Sequence, residues 1–276
     1  MKKYLLFLIS PFICTQILGQ TISDQYEIKI INNDLFMEVY VNNQGPYNFI
    51  FDTGASGLGR IDERIAKELN LNVVDSIQNY DGSGNYRTEP VMGINKLSVG
   101  KISLYNVELM SRDYNRIYKQ GDIRTDGIIG RDFFKDYLLV IDCPNGSLTI
   151  SKNSLNASVN NVLKYTEAFQ VNGIIGNIDT IFHIDTGSNL TLHIPKSIVE
   201  KLDFTDTENK RIGRKANTEY VIQEAVLQSR LNIGDVEVRN QIIGYSENSK
   251  YINVGMGFLK NYKISIDQRN KLFKIE

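Results

Sequence analysis

Two stretches of the chain end an apolar run on the same acidic tripeptide: Phe49-Ile50-Phe51-Asp52-Thr53-Gly54-Ala55-Ser56 and Phe182-His183-Ile184-Asp185-Thr186-Gly187-Ser188-Asn189. Each reads as a buried strand breaking into a tight turn, with a carboxyl group at the break. Brought within about 3 Å of each other, two ionised carboxylates would repel by roughly 5 kcal/mol at an effective dielectric of about 20. One proton is then held between them over a broad acidic-to-neutral range, the known behaviour of paired carboxyls. Such a pair can take a proton from water and give one to a carbonyl oxygen. Amide hydrolysis without a metal or a covalent nucleophile needs both steps.

The neighbours of each Asp have physical roles in this reading. Gly54 and Gly187 permit close backbone approach, so that turn N–H groups can point at the carboxylates. Thr53 and Thr186 carry short hydroxyls able to bond across a pseudo-two-fold axis. Ala55 and Ser188 break the symmetry, and the Ser188 hydroxyl is expected to donate to Asp185, favouring its ionised form and leaving the proton on Asp52.

Other chemistries have little to build on. The only histidines, His183 and His193, both fall in the second stretch and read as structural, which disfavours a Ser-His-Asp triad or a zinc site. Cys143 reads as an incidental thiol. Gly82-Ser83-Gly84 lacks the lysine and helix signature of a phosphate loop. No metal and no cofactor is expected.

The elements that position the two turns repeat. Strands are expected over much of Tyr26 to Val41, and Asn42 to Pro46 is a turn leading into the Asp52 strand. Ile61, Ile65 and Leu69 are spaced for one face of a short helix, with Asp62 and Glu63 in its first turn. A shift of 133 carries Asp52, Ile61, Ile65 and Leu69 onto Asp185, Ile194, Ile198 and Leu202. A shift of 134 carries Leu97 to Gly100 onto Leu231 to Gly234, and 125 carries Phe133 to Tyr137 onto Phe258 to Tyr262. Landmarks recurring in the same order imply a duplicated domain, and the long period excludes a solenoid. The expected organisation is a leader over 1–19, an N-terminal lobe over 20–157 and a C-terminal lobe over 158–276.

These motifs resemble the aspartic peptidases of the retropepsin-like and pepsin-like class. Phe49 to Gly57 and Asp126 to Phe134 are closer to the retropepsin-like branch, and two motifs in one chain resemble the pepsin arrangement. The resemblance implies a mainly β, bilobal fold: two retropepsin-like β-barrel lobes, one short helix each, related by pseudo-two-fold symmetry. It implies a water held by Asp52 and Asp185 in the cleft between them. It also implies that Ile128-Ile129-Gly130 and Gly255-Met256-Gly257 pack behind the two turns, the second copy departing by having Gly255 where an aliphatic is usual. A flap hairpin would cover the substrate, with Tyr80, Gly82, Gly84 and Tyr86 as candidates. Lys210 to Tyr220, with its basic residues Lys210, Arg211, Arg214 and Lys215, reads instead as a solvated loop.

With 42% hydrophobic residues in 276, the chain has ample material for a core, and fifteen Tyr and twelve Phe against five Pro lean toward β structure. A net charge of −1 supplies no global field toward nucleic acid or an anionic membrane. Met1-Lys2-Lys3 followed by an apolar stretch to Leu18 reads as a bacterial-type signal peptide cut after Gly19, with an uncleaved anchor or a lipoprotein at Cys14 as alternatives. Export to the periplasm or outside the cell is expected, with no membrane span after signal removal. The functional expectation is an aspartic endopeptidase acting as a monomer on peptides or unfolded protein. The alternative is a catalytically silent peptide-binding protein of the same fold.

Overall fold

A computed structural model describes residues 23–81, 83–114, 123–214, 217–247 and 249–276. The expected leader, Cys14, Gly82 and Lys215 lie outside the described residues.

The fold is mainly β, and the apolar runs of the sequence are its innermost strands. In the first half, eight strands form one sheet in the order Lys29–Ile31, Asp34–Val41, Gln44–Asp52, Gly127–Gly130, Gly59–Asp62, Ile102–Arg112, Tyr86–Val99, Val73–Tyr80. Asp34–Val41 also pairs with Tyr86–Val99, through Val39 opposite Val99, so the sheet curls back on itself. Alternation is clearest in Asp34–Val41, where Glu38 and Tyr40 face out while Met37, Val39 and Val41 are buried. Gln44–Asp52 becomes buried as it approaches the acid, with Phe49, Ile50 and Phe51 all shielded from solvent. Burying each such side chain contributes about 1.5–3 kcal/mol.

The second half repeats the plan. Gln170–Ile175, Ile178–Asp185, Ile252–Gly255, Leu192–Pro195, Gln241–Ser246, Glu219–Leu227 and Phe204–Arg214 follow one another across a sheet. That sheet continues into a six-stranded antiparallel seam shared by both halves: Asp24–Glu27, Ser147–Ser151 and Leu138–Asp142 from the first, Lys263–Asp267, Leu272–Ile275 and Leu163–Thr166 from the second. Val140 opposite Ser265 lies at its middle, where the hairpins of the two halves meet. Beneath each acid, an aromatic segment closes the core: Phe133 and Phe134 in a 3-10 turn, Phe258 and Leu259 in a short helix. Phe134 meets Phe51 edge to face, with centroids 5.6 Å apart.

Helices are short. Glu63–Glu68 is capped by Asp62, whose side chain accepts from Arg64 N, and it buries Ile65. Lys196–Val199 starts immediately after Pro195. The expectation of one helix per half needs correction. Met256–Leu259 adds a second helical turn to the C-terminal half, at the place where the first half makes the 3-10 turn Arg131–Phe134.

A larger correction concerns Lys210 to Tyr220. Phe204–Arg214 and Glu219–Leu227 form a long antiparallel hairpin, with Arg211 opposite Ile222, where a solvated loop is expected. Tyr220 and Ile222, two residues apart on the second strand, share a face on which Ile222 is fully buried, an anchor that a loop would lack.

Candidate active site

The strands that carry the acids end side by side. Gln44–Asp52 runs parallel to Gly127–Gly130 with Asp52 opposite Gly130, and Ile178–Asp185 runs parallel to Ile252–Gly255 with Asp185 opposite Gly255. The turns that follow clasp each other. Thr53 N donates to Thr186 Oγ1 at 3.0 Å, and Thr186 N donates to Thr53 Oγ1 at 3.0 Å. The same hydroxyls donate to the far strand, Thr53 Oγ1 to the Ile184 carbonyl at 2.8 Å and Thr186 Oγ1 to the Phe51 carbonyl at 2.7 Å. Both threonines are fully buried, so each hydroxyl satisfies one N–H and one carbonyl that have no water to turn to.

This clasp brings the Asp52 and Asp185 carboxyls into side-chain hydrogen-bond contact. Backbone donors hold both: Ala55 N reaches Asp52 Oδ1 at 3.0 Å, and Gly187 N reaches Asp185 Oδ1 at 3.1 Å. Burial pushes Asp52 up to about 7, helped by the neighbouring Asp185 and opposed by the Arg60 guanidinium and the turn N–H groups. Burial also raises Asp185, but the Asn253 amide and the N–H groups of Gly187 and Ser188 pull it back. Asp52 is therefore the better proton holder and Asp185 the better carboxylate.

The donor that makes this difference is Asn253, whose Nδ2 reaches Asp185 Oδ2 at 2.9 Å. Ser188 contributes its backbone N–H, and its hydroxyl makes no such bond, which corrects the expected role of that side chain. Gly255, not Gly257, lies opposite the acid and is the counterpart of Gly130. A Cβ on either would come within 2.4 Å of a carbonyl in the adjacent turn, Gly57 O for Gly130 and Leu190 O for Gly255. The apolar–apolar–glycine segment of the second half is thus Asn253-Val254-Gly255, and its real departure is Asn253 in the place of Ile128. The shift of 125 that superposes the aromatic pairs also superposes Gly130 on Gly255, so the signal was present in the sequence.

The dyad lies on the floor of a cleft of about 670 Å³, bounded by both halves. Tyr80, Tyr220 and Ile212 provide its aromatic and apolar walls, and Arg60, Arg112, Arg211, Arg214 and Lys250 its cations. Tyr220 stacks on His193, whose Nε2 pairs with Ser246 Oγ at 2.9 Å. His183 lies against Asn253 and is held below the ordinary imidazole range, first by burial.

Two hairpins rise over this cleft and touch. Thr218 Oγ1 donates to Asp81 Oδ2 at 2.6 Å, Asn217 Nδ2 to the Asn79 carbonyl at 2.8 Å and Asn85 Nδ2 to Thr218 Oγ1 at 2.8 Å. Of the flap candidates, Tyr80 lines the cleft, whereas Tyr86, its cross-strand partner, faces a separate cavity beside Arg87 and Pro90. Gly84 sits in the tip at φ 85°, a left-handed conformation that suits glycine. Gly82 lies outside the described residues. The basic hairpin Phe204–Arg214 to Glu219–Leu227 is the second cover, and Arg211 and Arg214 line the cleft beneath it. Among the described residues no cluster of His, Cys, Asp and Glu could hold a metal ion.

Residues 37–133 match the aspartyl protease family, a span that contains the first Asp-Thr-Gly turn and the Gly127–Gly130 strand behind it. No curated protein matches the chain.

Proposed function

We propose that this chain is an exported aspartic endopeptidase in which Asp52 and Asp185 share one proton and activate a water. The observation that carries the reading is the contact of two buried carboxyls at the floor of a cleft, one of them pushed up to about 7. Asp185, favoured as the carboxylate, takes the proton of the attacking water. Asp52 gives its proton to the carbonyl oxygen of the peptide bond. The order follows from the Asn253 donor on one side and its absence on the other.

The pH dependence has a definite sign. Activity is lost as pH rises through about 7, where Asp52 gives up its proton, and lost again in acid, where Asp185 becomes protonated. The silent peptide-binding alternative loses its main support, because Gly255 stands where a glycine belongs. Both acids come from one chain, so a single copy suffices, and the Met1 to Leu18 leader directs it out of the cytoplasm.

Hydrolysis of an unfolded protein between pH 3 and 7 tests this reading, with Asp52→Asn and Asp185→Asn as controls. Each substitution is expected to cost roughly 10²–10⁴-fold. A statine-type transition-state analogue should inhibit. Cleavage that survives both substitutions would end the proposal.

A further inference from the structure

One acid in the cleft belongs to neither the dyad nor the hairpin contact. Asp34 opens the strand Asp34–Val41, follows the left-handed pair Asn32 and Asn33, and lines the cleft. It is only 2% exposed. Asn33 Nδ2 donates to the Asn189 carbonyl at 2.9 Å, which pins this turn to the loop after Asp185 and sets Asp34 where the two halves meet.

Among the described residues nothing pairs with the Asp34 carboxyl. Lys29, on the neighbouring strand, reaches Glu38 at 3.4 Å. Arg112 is held by Glu89 at 3.6 Å, and Arg60 Nη1 donates to the Ser56 carbonyl at 3.0 Å. Burial alone accounts for the rise of Asp34 to about 7, with no cation or donor opposing it. A buried carboxyl without partners is a cost that folding does not explain. Its counterpart in the second half carries no acid. Phe36 lies opposite Ile50 and Gln170 opposite His183, so Asp34 corresponds to Ala168.

We propose that Asp34 is a specificity-determining group that binds a lysine or arginine side chain of the substrate, on one side of the scissile bond only. This deepens the peptidase reading and rests on it. The substrate cation would supply the partner that the fold omits, and Ala168 offers no equivalent on the other side. Because the free carboxyl holds its proton below about 7, binding a cation requires losing it, so selectivity for lysine should grow as pH approaches 7 from below.

The test uses sets of matched peptides in which one position at a time is lysine, norleucine or glutamate, cleaved at pH 5 and pH 7. At one position kcat/KM should favour lysine over norleucine by about 10-fold at pH 7 and by much less at pH 5. Asp34→Asn should abolish that ratio through the KM of the lysine peptide. The melting temperature of Asp34→Asn should exceed that of the parent chain at pH 8 and match it at pH 4, since the parent loses stability as pH rises from the unfolded carboxyl's 3.8, where the unfolded chain ionises first, to the folded one's value of about 7. Indifference to lysine at every position, or a lysine preference that survives in Asp34→Asn, overturns the assignment. Should the chain cut no peptide at all, the peptidase reading fails. The binding of the same lysine and norleucine peptides, measured by calorimetry, then decides the Asp34 assignment by the same ratio.

Discussion

Behind Asp52 the parallel strands set Ile50 against Ile128; behind Asp185 they set His183 against Asn253. The backbone is duplicated and the side chains are not. Backbone symmetry brings the two acids together, through the same parallel pairing, the same glycine and the same threonine clasp on each side. The polar pair in the second half then makes the acids unequal. A strictly symmetric dyad would leave its proton undecided, whereas an amide donor on one carboxyl biases it to the other.

The sharpest break in the symmetric part is Gly187→Ala. A Cβ there would lie 2.2 Å from Asp52 Cγ, inside the carboxyl group itself. The same change at Gly54 meets Asp185 Oδ1 at 2.8 Å, a side-chain end that can give a little. Gly187→Ala should therefore cost roughly 10²-fold in kcat by displacing the acid, and Gly54→Ala less. Circular dichroism should find both variants folded.

The clasp comes next. Thr186→Val removes the acceptor of Thr53 N and the donor to the Phe51 carbonyl, both buried, and Thr53→Val does the same in mirror image. Stranding such groups costs about 1–3 kcal/mol each. Either variant should melt several degrees lower, and the double variant should lose less than the sum, since the hydroxyls serve one joint. Full additivity would mean that the two halves do not rely on each other there.

How much of this was legible in the sequence follows the same division. The duplicated part was open to reading, because repeated tripeptides, glycines and aromatic pairs leave the same spacing twice. The acids and the threonines came from that, and the mainly β fold from composition and the family resemblance. What escaped was whatever departs from the repeat. Asn253 was hidden by a two-residue slip in register, since Gly255 and Gly257 both offer a glycine and only the shift of 125, carried back from the aromatic segment, selects Gly255. The second hairpin was hidden by its basic residues, which read as solvated although the partner strand sets Tyr220 and Ile222 opposite them and their neighbours. Asp34 gave no signal, because a lone acid after two asparagines looks like any turn until its burial and lack of partners are known.

Asn253→Ile sharpens the comparison by making the second half resemble the first. Without the amide donor Asp185 takes up its proton at higher pH, so the acid limb of the pH–rate profile should rise. A hydrogen bond to a charged group contributes about 1.5–3 kcal/mol, which corresponds to roughly one to two pH units. The limb near 7, set by Asp52, should move less. Ile128→Asn offers the converse, a donor on the Asp52 side, and combined with Asn253→Ile it should reverse which acid is ionised. An acid limb unmoved by Asn253→Ile would remove the asymmetry argument and leave the dyad itself standing.

The smallest effect is expected from His183→Ile, and it separates two ways the imidazole could act. Its ring lies against the Asn253 amide, and His183 Nε2 and Asn253 Oδ1 are both buried without a well-formed hydrogen bond. Burial, first, and the Arg131 charge disfavour the imidazolium, while Asp52 and the Asn253 amide favour it. If the ring works by keeping the amide oxygen turned away from Asp185, its loss lets the amide flip and weakens the Asn253 bond. The acid limb then rises by less than Asn253→Ile produces, and the double variant lies where Asn253→Ile alone does. If the ring works instead as a charge felt directly by the dyad, the two shifts add. The first outcome is favoured, because burial holds the ring below the ordinary imidazole range and so leaves it less charge for the dyad to feel.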